Sequence, residues 1–170
     1  MAKGMYHHLR KAWKKPQEKV LRERMIEWRR SPVFTKVEKP LRLDRARSLG
    51  YKAKKGFVVV RARILRGGHR RSRPNKGRRG KRLHTRKNLK MNYQWIAEQR
   101  VARKYSNLEV LNSYQIGRDG LYYFYEVILV DPQRPEIRSD KTMSWLAKKG
   151  SRKRPMRGLT SSAKKARGLK

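Results

Sequence analysis

The sequence predicts an α+β fold: a small, mainly antiparallel sheet with flanking helices, plus a long basic internal loop and a basic C-terminal extension. Three observations carry this reading. Apolar residues recur at helical spacing over residues 1–30 and over Tyr93–Tyr105. Period-two alternation or short apolar runs mark Phe57–Arg66, Leu108–Ile116 and Leu121–Val130 as strands. The stretches 67–92 and 150–170 contain no acid and almost nothing to bury. The 170 residues suit one domain: N-terminal helices over 1–30, a body from 57–66 and 93–147, the internal loop 67–92 and the tail 150–170.

In chain order, two helices break near Pro16. Met5, Leu9, Ala12 and Trp13 align in the first, and Leu21, Met25 and Trp28 in the second; both stripes read as core packing. Glu18 and Arg22 stand four apart in the favourable order for an exposed pair. Ser31–Lys55 reads as irregular, with Pro32 and Pro40 as breakers and a short helix at Asp44–Leu49, capped by Asp44 and stopped by Gly50. In the strand FVVVRARILR, Val58, Val60, Ala62 and Ile64 share the face expected to be buried. Phe57, Val59, Arg61, Arg63 and Leu65 share the other, so two arginines project together. Such a ladder suits a phosphate backbone, with a solvated face as the plainer alternative.

Gly67–Lys90 holds 11 Lys or Arg, four glycines and no acid. Alone in water such a segment lacks the apolar surface to fold, and an internal loop of that length calls for a function. Arg70, Arg71, Arg73, Lys76, Arg78, Arg79, Lys81 and Arg82 are its candidate phosphate contacts. After the helix Tyr93–Tyr105, Gly117-Arg118-Asp119-Gly120 supplies the turn of a hairpin. Its second strand is apolar on both faces except at Glu126 and is therefore expected at the centre of the sheet. Seven of the twelve acids lie between residues 91 and 150, which marks this half as the folded body. The apolar piece Met143–Ala147 precedes a tail in which Thr160–Arg167 reads as a short helix formed on contact with RNA.

Charge narrows the function. Lys plus Arg number 49 against 12 Asp plus Glu, giving a formal charge of +37, whereas a small soluble domain carries roughly 2–8. Self-repulsion of that size is relieved by a polyanion, of which nucleic acid is the commonest. No cysteine is present, which excludes disulfides and thiolate metal sites. The N-terminus has no apolar signal region, and the longest apolar runs are far below the roughly 20 residues that span a bilayer. A cytoplasmic chain with no membrane partner is expected.

Catalytic and cofactor motifs fail on inspection. Gly77-Arg-Arg-Gly80-Lys81 has its glycines too close for a phosphate loop, and Arg82 stands where the magnesium-binding hydroxyl belongs. Lys55-Gly56-Phe57-Val58-Val59 departs from the RNA-recognition strand signature at Val58. His7 and His8 diverge on a helix, His69 and His84 have no supporting ligands, and the carboxylates form no evident dyad. The expectation is a binding protein rather than an enzyme, with no cofactor, no metal and no small-molecule substrate.

Several long blocks resemble one family. Asp44–Gly68, DRARSLGYKAKKGFVVVRARILRGG, is similar to the central block of the archaeal and eukaryotic large-subunit ribosomal protein fifteen-e. LEVLNSY at Leu108–Tyr114 and YEVILVDP at Tyr125–Pro132 resemble its hairpin, and MRGLTS at Met156–Ser161 with ARGL at Ala166–Leu169 resemble its C-terminal block. Gln115 departs from the aromatic residue that often follows Tyr114 in that family. The resemblance covers nearly the whole chain and implies a structural and assembly role in the large subunit. Its partners would be large-subunit ribosomal RNA and neighbouring large-subunit proteins. Carried onto matching positions, it implies RNA contact by Arg45, Arg47, Lys52, Lys54 and Lys55; by Arg61, Arg63, Arg66, Arg70 and Arg71; and by Arg157, Lys164, Lys165 and Arg167. Trp13 and Tyr51 become candidate stacking partners, with packing under the basic shell as the alternative for both. The competing classes are a chromatin-type nucleic-acid-compacting protein and an RNA-modifying enzyme.

Overall fold

The computed structural model describes residues 2–68 and 89–169. Its elements in order are α1 (Met5–Lys14), α2 (Glu18–Arg30), β1 (Phe34–Val37), α3 (Leu43–Ser48), β2 (Phe57–Leu65), α4 (Tyr93–Lys104), β3 (Glu109–Arg118), β4 (Tyr122–Val130), α5 (Pro135–Arg138) and α6 (Ser161–Ala166), with short 3₁₀ turns at Ser144–Ala147 and Lys149–Ser151. The four strands form one antiparallel sheet in the order β1-β2-β4-β3. The α+β class is as predicted, and β4 is central because both of its faces carry apolar side chains that need cover. Of the predicted internal loop, residues 69–88 lie outside the described residues.

Both faces of the sheet are buried. Val60, Ala62, Ile64, Val110, Tyr125, Val127 and Leu129 pack with Ala97 and Val101 of α4. On the opposite face Leu111, Tyr114, Ile116, Phe124, Ile128 and Val130 pack with Trp28 of α2, Ala46 of α3, Ile137 of α5 and the Met143/Leu146 turn. Each fully buried large aliphatic or aromatic side chain contributes about 1.5–3 kcal/mol. Two register shifts in β3, between Val110 and Asn112 and between Gln115 and Gly117, interrupt the simple alternation. Val110 and Leu111 fall in opposite cores by ordinary alternation, and the shifts leave Leu111 and Ile116 without a register partner on the Trp28 side.

Three local readings change. The stretch after Ser31 contains a strand, β1, pairing Phe34 with Ala62 and Val37 with Val59. Four residues between prolines are too short for alternation to register, and β1 forms because β2 offers it an edge. Asp44 lies inside α3 rather than capping it: the N-cap is Arg42, whose guanidinium sits 3.8 Å from the Asp44 carboxylate. Of the α1 stripe Trp13 packs against the core, while Met5 and Leu9 remain exposed. Helix α1 is held further by Tyr6, which accepts a hydrogen bond from Arg47, and by the Arg42 guanidinium 5.1 Å from the Trp13 ring.

Gly50 ends α3 as foreseen. At φ +98° it lets its own N–H reach Arg47 O at 3.0 Å while Tyr51 N–H reaches Ala46 O at 3.0 Å, the paired C-terminal bonds that favour glycine there. Gly56, at φ +92°, turns the chain into β2, and a Cβ there would lie 2.7 Å from Ile137 Cγ1. Gly56→Ala therefore combines backbone strain with overpacking and is expected to cost about 2–4 kcal/mol. Urea unfolding checks this, and the Gly56→Ala/Ile137→Ala double variant should cost less than the sum of its singles because the clash is gone.

Candidate nucleic-acid interface

The predicted contact residues divide by direction. The ladder on β2 is not an open face, because α2 lies across it. Arg61 sits 5.4 Å from the Trp28 ring centroid and 3.7 Å from Glu27 Oε1, with its side chain only 14% exposed. Arg63 stacks 4.8 Å over Tyr122 and donates to the Arg29 carbonyl. Arg66 lies 4.9 Å over Tyr123 and donates to the Asp119 carbonyl. Val60, Ala62 and Ile64, which alternate with these arginines, face α4 instead, while Trp28 of α2 covers the arginine side. The guanidiniums become ties between helix, strand and hairpin, each cation–π contact contributing about 0.5–2 kcal/mol.

The lysines of the central block are also tied. Lys52 and Lys54 place their amines 2.7 and 2.6 Å from Asp140 Oδ2, and Lys54 also donates to Glu136 O. These donors, Lys52 first, then Lys54 and Thr142, hold the Asp140 carboxyl well below the usual carboxylate range. Arg157 donates to the Arg152 and Gly150 carbonyls, and Arg167 to Gly158 O at 2.7 Å, although both residues remain exposed. Arg45, Lys55, Lys164 and Lys165 are exposed and have no side-chain partner among the described residues. Arg70, Arg71, Arg73, Lys76, Arg78, Arg79, Lys81 and Arg82 lie outside the described residues.

Sequence reasoning passed over much of the outward charge. Arg10, Lys11 and Lys14 on α1, Lys19, Arg22 and Arg30 on α2, and Arg100 and Arg103 on α4 are all exposed. Each is a helical residue off the apolar stripe, so the periodicity that revealed the helices also carried this signal. Neither aromatic candidate is open. Trp13 is half-buried beneath Arg42, and Tyr51 packs edge-on against Phe57 at 5.8 Å. Among the described residues no group of three or more His, Asp or Glu can hold a metal ion, and no helix is long and apolar enough to cross a membrane.

The tail is positioned from within. It packs on α4 and β3. Trp95 Nε1 donates to Pro155 O at 2.6 Å, Asn92 Nδ2 to Ser162 O at 2.9 Å, and Arg154 to the Val110 and Leu111 carbonyls at 2.6 and 3.0 Å. At the centre the buried Glu98 carboxylate accepts from Ser113 of β3 and, at 2.6 Å each, from Thr160 and Ser162. Burial pushes the Glu98 carboxyl above its ordinary range, opposed in part by these three hydroxyls. With α6 fixed in this way, Lys164 and Lys165 stand on its exposed side.

A two-sided α+β body that engages Glu98, Glu126, Asp119 and Asp140 internally and leaves many cations exposed defines a strongly basic class of protein. The family model described as ribosomal L15, the L15e form, matches residues 4–170, and the chain belongs to that family. It is thus a structural constituent of the large ribosomal subunit, a component of a ribonucleoprotein that acts in translation.

The docked tail makes a pH-dependent prediction. A raised carboxyl pKa means that the folded state binds its proton more tightly than the unfolded chain, so this group's contribution falls as pH rises through the interval between the ordinary and raised values. Glu98→Gln should flatten that part of the stability profile. Glu98→Ala leaves three hydroxyls without their acceptor and should cost at least about 1–3 kcal/mol. Amide exchange should then rise selectively over residues 160–169.

Proposed function

We propose that this chain binds large-subunit ribosomal RNA by neutralising phosphates and bracing the folded RNA during assembly, in cytoplasmic ribosomes and beside neighbouring large-subunit proteins. The observation that carries the reading is the segregation of charge. Glu98, Glu126, Asp119 and Asp140 are engaged inside the fold, while α1, the outer side of α4 and α6 present unpaired Lys and Arg. Such a surface recognises the shape and phosphate geometry of structured RNA rather than its base sequence. The role needs no cofactor, small-molecule substrate or catalytic group. The cations most suited to contact are Arg45, Lys55, Lys164 and Lys165 together with the loop cations from Arg70 to Arg82. Arg61, Arg63, Arg66, Lys52 and Lys54 act first as internal ties.

Sedimentation of native lysate through a density gradient tests the role. The protein should travel stoichiometrically with the large subunit in low salt and remain there near roughly 1 M salt, where exposed charges are screened within about 3 Å. Early release into DNA-bearing fractions would favour a compacting protein instead. For the purified chain, Lys164→Ala/Lys165→Ala should lower the slope of log affinity against log salt by up to about two, since each phosphate contact contributes about 0.7–0.9. Lys52→Ala should change that slope less, because its amine is already paired with Asp140.

A further inference from the structure

The 3₁₀ turn Ser144–Ala147 carries an indole that the fold holds at the surface. Met143 and Leu146 on either side are buried and anchor the turn in the core, yet Trp145 between them is 37% exposed. Its ring N–H is satisfied by the Thr142 carbonyl at 3.1 Å, and its own carbonyl accepts from Ser151 Oγ at 2.8 Å. One face of the ring is covered by the Arg154 guanidinium, 4.8 Å from the ring centroid. Arg154 is itself fixed by two β3 carbonyls, Val110 O and Leu111 O. The result is a rigid ring with one covered face and no polar atom in need of a partner. Trp28 and Trp95 are buried and Trp13 lies half-buried under Arg42, so none of them offers such a surface.

The surroundings select the occupant. Residues 140–154 contain six Lys or Arg and one acid. That acid, Asp140, is already held by Lys52 and Lys54. Lys141, Lys148 and Lys149 are exposed and have no side-chain partner among the described residues. An aromatic platform ringed by free cations is the arrangement that takes a base on the ring and its flanking phosphates on the amines. We propose that Trp145, backed by Arg154, is a stacking platform for one unpaired RNA base, with Lys141, Lys148 and Lys149 taking the adjacent phosphates. This rests on the RNA-binding reading above and adds to it a contact with a base, where phosphate neutralisation alone requires none.

The test pairs two probes of equal length, a 12-nucleotide oligo(A) RNA and the same ribose-phosphate chain without bases, titrated against the full-length protein. Trp145→Ala should weaken oligo(A) binding by roughly 5- to 150-fold, the fold-change for one lost stack of about 1–3 kcal/mol, and leave the abasic chain unaffected. Trp145→Phe keeps a ring over Arg154 and should retain most of the affinity. Tryptophan fluorescence of the wild type should be quenched by oligo(A) but not by the abasic chain, and Trp145→Phe should abolish that quenching. Equal weakening toward both probes would overturn the proposal, as would unchanged oligo(A) binding or quenching that persists in Trp145→Phe. If Trp145→Ala fails to fold, the quenching comparison decides alone. Wild-type protein that binds neither probe would remove the RNA-binding reading itself, a result distinct from loss of the base contact only.

Discussion

Forty-nine cations and twelve acids in one chain leave few carboxylates to hold the fold together, and their placement organises the rest of the structure. Glu126, buried on the central strand, accepts from Leu41 N–H at 3.2 and 3.1 Å and from the Tyr114 hydroxyl, joining the segment before α3 to the sheet. Glu98 joins α4 to β3 and to the tail. Glu109 accepts the Lys153 N–H at 3.0 Å, and Asp119 caps the hairpin turn through the Leu121 N–H while lying 3.7 Å from Arg29. A buried carboxylate is costly unless it is fully hydrogen-bonded, and Glu98 and Glu126 meet that condition with donors from distant parts of the chain. Burial still pushes Glu126 upward, against the pull of Tyr114, Leu41 and the nearby arginines.

Aromatic rings do for the inner cations what acids are too few to do. Arg42, Arg61, Arg63, Arg66 and Arg154 each lie 4.8–5.4 Å from an aromatic centroid. Arginine suits this role because its planar, weakly hydrated guanidinium stacks on a ring and still donates from its edge. Exposed lysines on α6 and after Trp145 keep their hydration and their reach. The two kinds of cation therefore serve different ends, one fastening elements to each other and the other remaining available to a polyanion.

That division explains what the sequence could and could not reveal. Periodicity located α1, α2, α4 and the hairpin, and glycine chemistry located the end of α3, because those signals are local. The burial of Arg61 and Arg63 depends on where α2 crosses the sheet, which no spacing within β2 encodes. The docking of the tail rests on Thr160 and Ser162, small polar residues that look like solvent-facing ones until Glu98 is known to lie beneath them. The strand β1 is four residues long and exists through its neighbour. Of the candidate interface, the basic character was evident from composition, while the distinction between tied and free cations required three-dimensional partners. In sequence Trp145 is part of the apolar piece Met143–Ala147, and nothing in that spacing separates the surface ring from the buried Met143 and Leu146.

The docked tail also shifts where the entropic cost of RNA binding falls. A segment that orders only on its partner loses its conformational freedom at the moment of binding, which lowers affinity for a given area of contact. Here residues 151–169 are already held through the Glu98 hydroxyl cluster, the Trp95 bond to Pro155 and the Arg154 bonds to β3. Lys164 and Lys165 thus start from a fixed helix, and the Trp145 ring from a fixed turn, because the Arg154 that backs it belongs to the same docked segment. A rigid ring and a rigid helix reach only those RNA surfaces whose base and phosphates match their spacing. The internal acids, by fixing that spacing, convert an otherwise indiscriminate positive charge into a preference for shape.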